Sequence, residues 1–137
     1  MSHDATLSRL QEHGIQPSAQ RLAVAEFVLQ TSTHPSADEV WIAVQKSFPM
    51  ISRATVYNTL NLFVEKTLLQ ELHISEGKVV FDPNTGRHHH FIDDTTGTIH
   101  DIPWDEVQVC NIENLKGFNV RDFQVLIRGT RKTKRRS

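Results

Sequence analysis

An α+β fold is what the sequence predicts: an N-terminal winged helix-turn-helix, then a small α/β domain. Three observations carry this. Apolar residues recur at helical spacing through the first half, the period shifts toward alternation at Leu68, and a Pro/Asn/Gly stretch at Pro83–Arg87 follows.

Residues 4–13 (DATLSRLQEH) set Leu7 and Leu10 three apart, with Gly14 as a C′ stop. Residues 18–30 repeat apolar positions at Leu22, Ala25 and Leu29, broadened by Val24, Phe27 and Val28. Ser36 and Glu39 form a capping box opening a third helix, which carries Val40, Trp41 and Val44. Ser52 caps a fourth, Arg53–Lys66, whose buried stripe is Val56, Leu60, Phe63 and Val64. Residues 68–74 (LLQELHI), the turn SEGK and the return VVFD read as a hairpin. Helices followed by a two-stranded ribbon make a winged helix-turn-helix, whose fourth helix would enter a DNA major groove.

Beyond the proline-rich stretch come a strand at 88–92 (HHHFI), the turn DDTTG, a strand at 98–102 (TIHDI) and a short helical piece at Asp105–Leu115. A long strand, Phe118–Arg128, follows Gly117. In it Phe123, Val125 and Ile127 alternate, while Leu126 puts an apolar side chain on the other face. So small a sheet, apolar on both sides, needs cover, and a second copy of the chain is the natural source. The fold class is therefore a winged helix-turn-helix followed by a small α/β dimerisation domain.

Composition narrows the function classes. No run of about 18 apolar residues exists to span a membrane, and the polar start MSHDATLSRLQEHG lacks the apolar core of a secretory signal. Cys110 is the single cysteine, so no intrachain disulfide or paired-cysteine zinc clamp can form, and a reducing cytoplasm is expected. Net charge is −1, but the last ten residues hold six of the fifteen basic side chains, leaving nine against sixteen acidic ones elsewhere. Such a tail is either a solvated end or a non-specific attraction for phosphate.

Two constellations carry chemistry. In SRATVYNTLNLF (52–63), Ser52 caps the helix while Arg53, Thr55, Tyr57, Asn58 and Asn61 can share its exposed side. Arg and Asn can pair with guanine and adenine edges, and Thr or Tyr can meet a thymine methyl. Arg21 is a candidate phosphate contact. The second set is His34, Asp82, His88, His89, His90, His100 and Asp101. On a strand His88 and His90 share one face and His89 takes the other, and His100 and Asp101 split likewise. Imidazoles with carboxylates suit Fe(II), Mn(II) or Zn(II) better than Cu(I). Spacing alone does not bring His34 and Asp82 together, and a mononuclear iron enzyme stays open at this point.

The chain resembles the ferric uptake regulator family, closest to its peroxide-responsive repressor (PerR) branch. The resemblance rests on SAQR (18–21), HPSADEV (34–40), SRATVYNTLNLF (52–63), the FD pair (81–82), HHH (88–90) and TIHD (98–101). It implies a regulatory metal site at His34, Asp82, His88, His90 and Asp101 that takes ligands from both domains. Metal would then favour one closed dimer and so promote binding to a double-stranded DNA operator. Tyr57 falls where the family places a base-contacting tyrosine. Asp at position 101 resembles the peroxide-sensing branch, in which bound Fe(II) reacts with hydrogen peroxide and a ligand imidazole, here His34 or His88, is oxidised. The resemblance implies Fe(II) or Mn(II) as cofactor, with Zn(II) possible in vitro, no enzymatic turnover and no membrane partner. The expected boundaries are a DNA-binding domain at 1–82, a hinge at 83–87, a dimerisation and sensing domain at 88–128 and a basic tail at 129–137.

The sequence also departs from its relatives. Asp93 and Thr96 stand where the first cysteine pair of a structural zinc would be, so no four-cysteine zinc is expected. His89 and Gln108 replace ligands of a further family site, where weak or no metal binding is expected. His100 is expected to face away from the metal. The HHH run also resembles haem-responsive members, although the N-terminal Cys-Pro motif of some of them is missing. An iron- or haem-level regulator is therefore the alternative to peroxide sensing, and a winged helix used only for protein contacts a further one.

Overall fold

The computed structural model describes residues 2–132 and divides into two compact units, Met1–Thr85 and Gly86–Ser137. Residues 133–137 of the expected basic tail lie outside the described residues. Among the described residues no helix is long and apolar enough to cross a membrane.

The first unit holds four helices, α1 (His3–Glu12), α2 (Ala19–Val28), α3 (Ala37–Gln45) and α4 (Arg53–Glu65). An antiparallel hairpin of β1 (Gln70–Ser75) and β2 (Lys78–Asp82) follows. Helix starts are set by side chains. Ser18, Ser36 and Ser52 each accept a backbone N–H three residues on, and Glu39 closes the capping box with the Ser36 N–H. Gly14, at φ +71°, ends the first helix in a conformation that costs glycine nothing. Leu10, Val24, Val28, Val40, Val44, Val56, Leu60, Phe63 and Leu68 pack into one core at 2% exposure or less. Trp41 closes its edge and donates through Nε1 to the Ile51 carbonyl at 3.0 Å.

The second unit is built on a three-stranded sheet in the order β4 (Ile99–Pro103), β3 (His88–Asp93), β5 (Leu126–Gly129). The β3–β4 pair is antiparallel and the β3–β5 pair parallel. Ile92 and Ile99 are its buried aliphatic residues, against exposed Leu115, Phe118 and Val120. Two sequence expectations change here. The helical piece at Asp105–Leu115 resolves into 3₁₀ turns at Trp104–Glu106 and Ile112–Asn114, interrupted by Asn111 at φ +64°. The long strand Phe118–Arg128 shortens to Leu126–Gly129. Alternation made residues 118–125 look extended, but a strand also needs a partner for its backbone groups, and β3 pairs only as far as Leu126.

Candidate metal centre and nucleic-acid interface

Each unit assembles its own group of metal-type donors. In the first, the Phe81 N–H donates to the Pro35 carbonyl at 2.9 Å and so holds the segment after His34 against β2. Asp82 ends that strand. Its Oδ1 accepts the Asn84 N–H at 2.9 Å, an Asx turn that orients the carboxylate, and its Oδ2 lies 3.2 Å from His34 Nε2. Both residues are buried, and His34 sits in the left-handed region at φ +54°.

In the second unit His88 and His90 project from one face of β3, with their Nε2 atoms 3.1 Å apart. Asp101 stands opposite His90 across the β3–β4 ladder, its Oδ1 3.5 Å from both nitrogens. His88 Nδ1 meets the Gly86 carbonyl at 2.7 Å. A carbonyl only accepts, so Nδ1 is the donor there and Nε2 is the atom turned toward the triangle, as a metal ligand needs. Bonds of about 2.0–2.2 Å to one ion at tetrahedral or octahedral angles would separate donors by about 3.0–3.5 Å. This triangle of two nitrogens and one oxygen fits that spacing, and the donors suit a borderline divalent ion.

His89 and His100 lie on the opposite faces of their strands. His89 is fully buried, accepts the Val125 N–H through Nδ1 at 2.9 Å and stacks on Trp104 at 4.6 Å. Arg87 covers the Trp104 ring at 4.1 Å. Burial pushes the His89 imidazole below its ordinary pKa, His88 and His90 push the same way, and the Trp104 backbone opposes them. Gln108 is exposed. His100 Nε2 lies 3.1 Å from Thr98 Oγ1. Asp93 accepts the Thr95 N–H at 2.8 Å and closes the β3–β4 turn.

The exposed surface of α4 has two flanks. On one, Thr55, Asn58 and Asn61 line an open groove of about 720 Å³ together with Arg21, Ser18 and Gln16. Arg21 donates from Nη1 to the Gln16 carbonyl at 2.7 Å, which fixes its direction there. On the other flank lie Arg53 and Tyr57, next to Asp38 and Trp41 of α3. Ser52 caps the helix between them and donates to Thr55 Oγ1 at 2.9 Å. Asp38 escaped the sequence reading, since its partners lie 15 and 19 positions away.

The model of the family described as "Ferric uptake regulator family" matches residues 12–128. The chain belongs to the ferric uptake regulator family. Over 122 residues it is 34% identical to a peroxide-responsive repressor of Staphylococcus aureus, covering 89% of this chain and 80% of that protein. Among solved structures it is similar to the Vibrio cholerae ferric uptake regulator, with a TM-score of 0.72 and 26% identity over 90% of this chain and 98% of that one. The Campylobacter jejuni peroxide stress regulator gives a TM-score of 0.67 at 27% identity, over 98% and 99% of the two chains. The α+β fold is accordingly the family's winged helix-turn-helix followed by a dimerisation domain. As a ferric uptake regulator-family member this chain carries a single cysteine, so one chain cannot supply a four-cysteine zinc site.

Proposed function

We propose that this regulator is a metal-dependent, DNA-binding transcription repressor that acts as a cytoplasmic homodimer and senses hydrogen peroxide. The regulatory metal, Fe(II) or Mn(II), would be held by His34, Asp82, His88, His90 and Asp101. The observation that carries this reading is the His88–His90–Asp101 triangle, with His88 Nδ1 donating to the Gly86 carbonyl. His34 beside Asp82 adds a second donor group of the same character.

Residues 1–82 would read DNA through Arg21, Ser52, Arg53, Thr55, Tyr57, Asn58 and Asn61. Residues 83–87 would form a hinge, 88–128 the dimerisation and sensing domain and 129–137 a basic tail. Ligands drawn from both sides of a hinge favour one arrangement of the recognition helices, so metal occupancy becomes DNA affinity. Bound Fe(II) supplies one-electron chemistry toward peroxide that redox-inert Zn(II) lacks. The ring of His34 or His88 gains one oxygen atom from peroxide, the other leaving as water, and the altered imidazole is a poorer donor. The protein is consumed by its own oxidation and does not turn over as an enzyme.

The test is operator binding by Fe(II)- and Mn(II)-loaded protein before and after low-micromolar peroxide, with mass spectrometry of the His34 and His88 peptides. Loss of binding with iron alone, with one oxygen added on either histidine, is expected. Unchanged binding and unmodified histidines would discard peroxide sensing in favour of an iron- or haem-level regulator.

A further inference from the structure

The two flanks of α4 differ in charge environment. Where Thr55, Asn58 and Asn61 face an open groove, Arg53 and Tyr57 converge on a single carboxylate oxygen. Tyr57 donates from Oη to Asp38 Oδ1 at 3.2 Å, and Arg53 Nη1 lies 3.7 Å from the same atom. The Arg53 guanidinium sits 4.4 Å above the Trp41 ring. Arg53 and Tyr57 are four apart on α4, and Asp38 and Trp41 three apart on α3, so each pair shares a helix face. The result is a closed circuit across two helices.

Stability does not account for it. Asp38 and Arg53 are 52% and 61% exposed, and a pair so exposed contributes little. A carboxylate on a surface meant for a polyanion also lowers affinity for DNA of every sequence. We propose that Asp38 is a specificity-determining residue: it holds Arg53 and Tyr57 in one arrangement and opposes sequence-blind attachment to phosphate. This rests on the DNA-binding reading above. A guanidinium with no carboxylate beside it swings to the nearest phosphate, which every sequence offers. Stacked on Trp41 and facing Asp38, Arg53 starts from one position, and the two acceptors of a guanine edge offer it more than a lone phosphate oxygen does. Tyr57 is tied by its hydroxyl to the same oxygen while its side chain stays exposed.

The experiment compares wild type with Asp38→Asn, loaded with Mn(II), on two duplexes. One carries a sequence selected from a random library by the wild-type protein; the other is its scrambled counterpart. Asparagine keeps the size and removes the charge. The scrambled duplex is expected to bind about three- to tenfold tighter, while the selected one changes less, so that discrimination falls. Tyr57 is the only tyrosine, so tyrosinate absorbance reads its environment alone, and in Asp38→Asn it is expected to titrate at lower pH than in wild type. In a Tyr57→Phe background the same charge removal should cost less discrimination, because one of the two groups that Asp38 positions has lost its link. An unchanged ratio between the duplexes, an equal change on both, or an unmoved tyrosine titration would overturn the inference. Failure of the wild type to prefer any sequence would instead overturn the DNA-binding reading itself.

Discussion

Replacing Asp101 by asparagine removes one corner of the donor triangle while keeping its shape. Its Oδ1 lies 3.5 Å from both imidazole nitrogens, so the change would strike the charged donor of the proposed site. Altering groups merely behind a metal ligand lowers affinity by about 10–100-fold, and loss of a charged ligand belongs at the upper end. At Mn(II) about a hundredfold above the wild-type Kd, binding stabilises the folded chain by about 2.7 kcal/mol; with Kd raised a hundredfold, about 0.4 kcal/mol remains. For a chain of this length about 3 °C accompanies each kcal/mol. The Mn(II)-induced rise in Tm should therefore drop from about 8 °C to about 1 °C, followed by circular dichroism at fixed protein concentration. Without metal the Tm should barely move, because the Asp101 side chain is 35% exposed and such pairs contribute little. A full metal-induced rise in Asp101→Asn, or an apo Tm lowered by as much as the metal raises it, would refute the assignment.

Other expectations follow from the first unit. Phe63, fully buried in the helical core, should cost about 3–5 kcal/mol when cut to alanine, measured by urea unfolding of the metal-free chain. Burial, followed by the Asp38 charge and its hydrogen bond, pushes the Tyr57 phenol above its ordinary 10.0 although Arg53 pulls it down. The folded chain therefore holds that proton to higher pH than the unfolded one. The associated stability is complete below about pH 10 and is lost as pH rises through the folded value, a slope that Tyr57→Phe should remove from alkaline unfolding curves. Asn58→Ala should weaken binding to the selected duplex by about 1–3 kcal/mol and relax discrimination at one base pair, whereas Arg21→Ala should weaken all duplexes and lower the salt slope by about one.

What could be read from the sequence followed from short-range chemistry. Ser36 with Glu39, Ser52, and Gly14 mark helix ends through bonds that close within a few residues, and each does so in the structure. Strand alternation was enough to put His88 and His90 on one face and His89 on the other. Residues 105–128 were harder, since apolar alternation reports which side chains could be covered and not whether a neighbouring strand exists. Phe118, 73% exposed in the single chain, has no cover within its own unit. Asp38 stayed hidden for a related reason. Its role depends on how α3 crosses α4, and within its own helix it looked like a first-turn acid complementing the dipole.

The two tryptophans occupy unlike positions, one in each unit. Trp41 lies beneath the Arg53 guanidinium, and Trp104 is stacked against the His89 imidazole on the strand that presents His88 and His90. Indole emission responds to a cation or an imidazole resting on the ring, so the chain carries two built-in optical reporters. With Trp104 changed to phenylalanine, light from Trp41 would register the moment Arg53 turns toward a duplex. With Trp41 changed instead, Trp104 would register ion capture one strand-thickness away, so the order of the two events could be timed without attaching a dye.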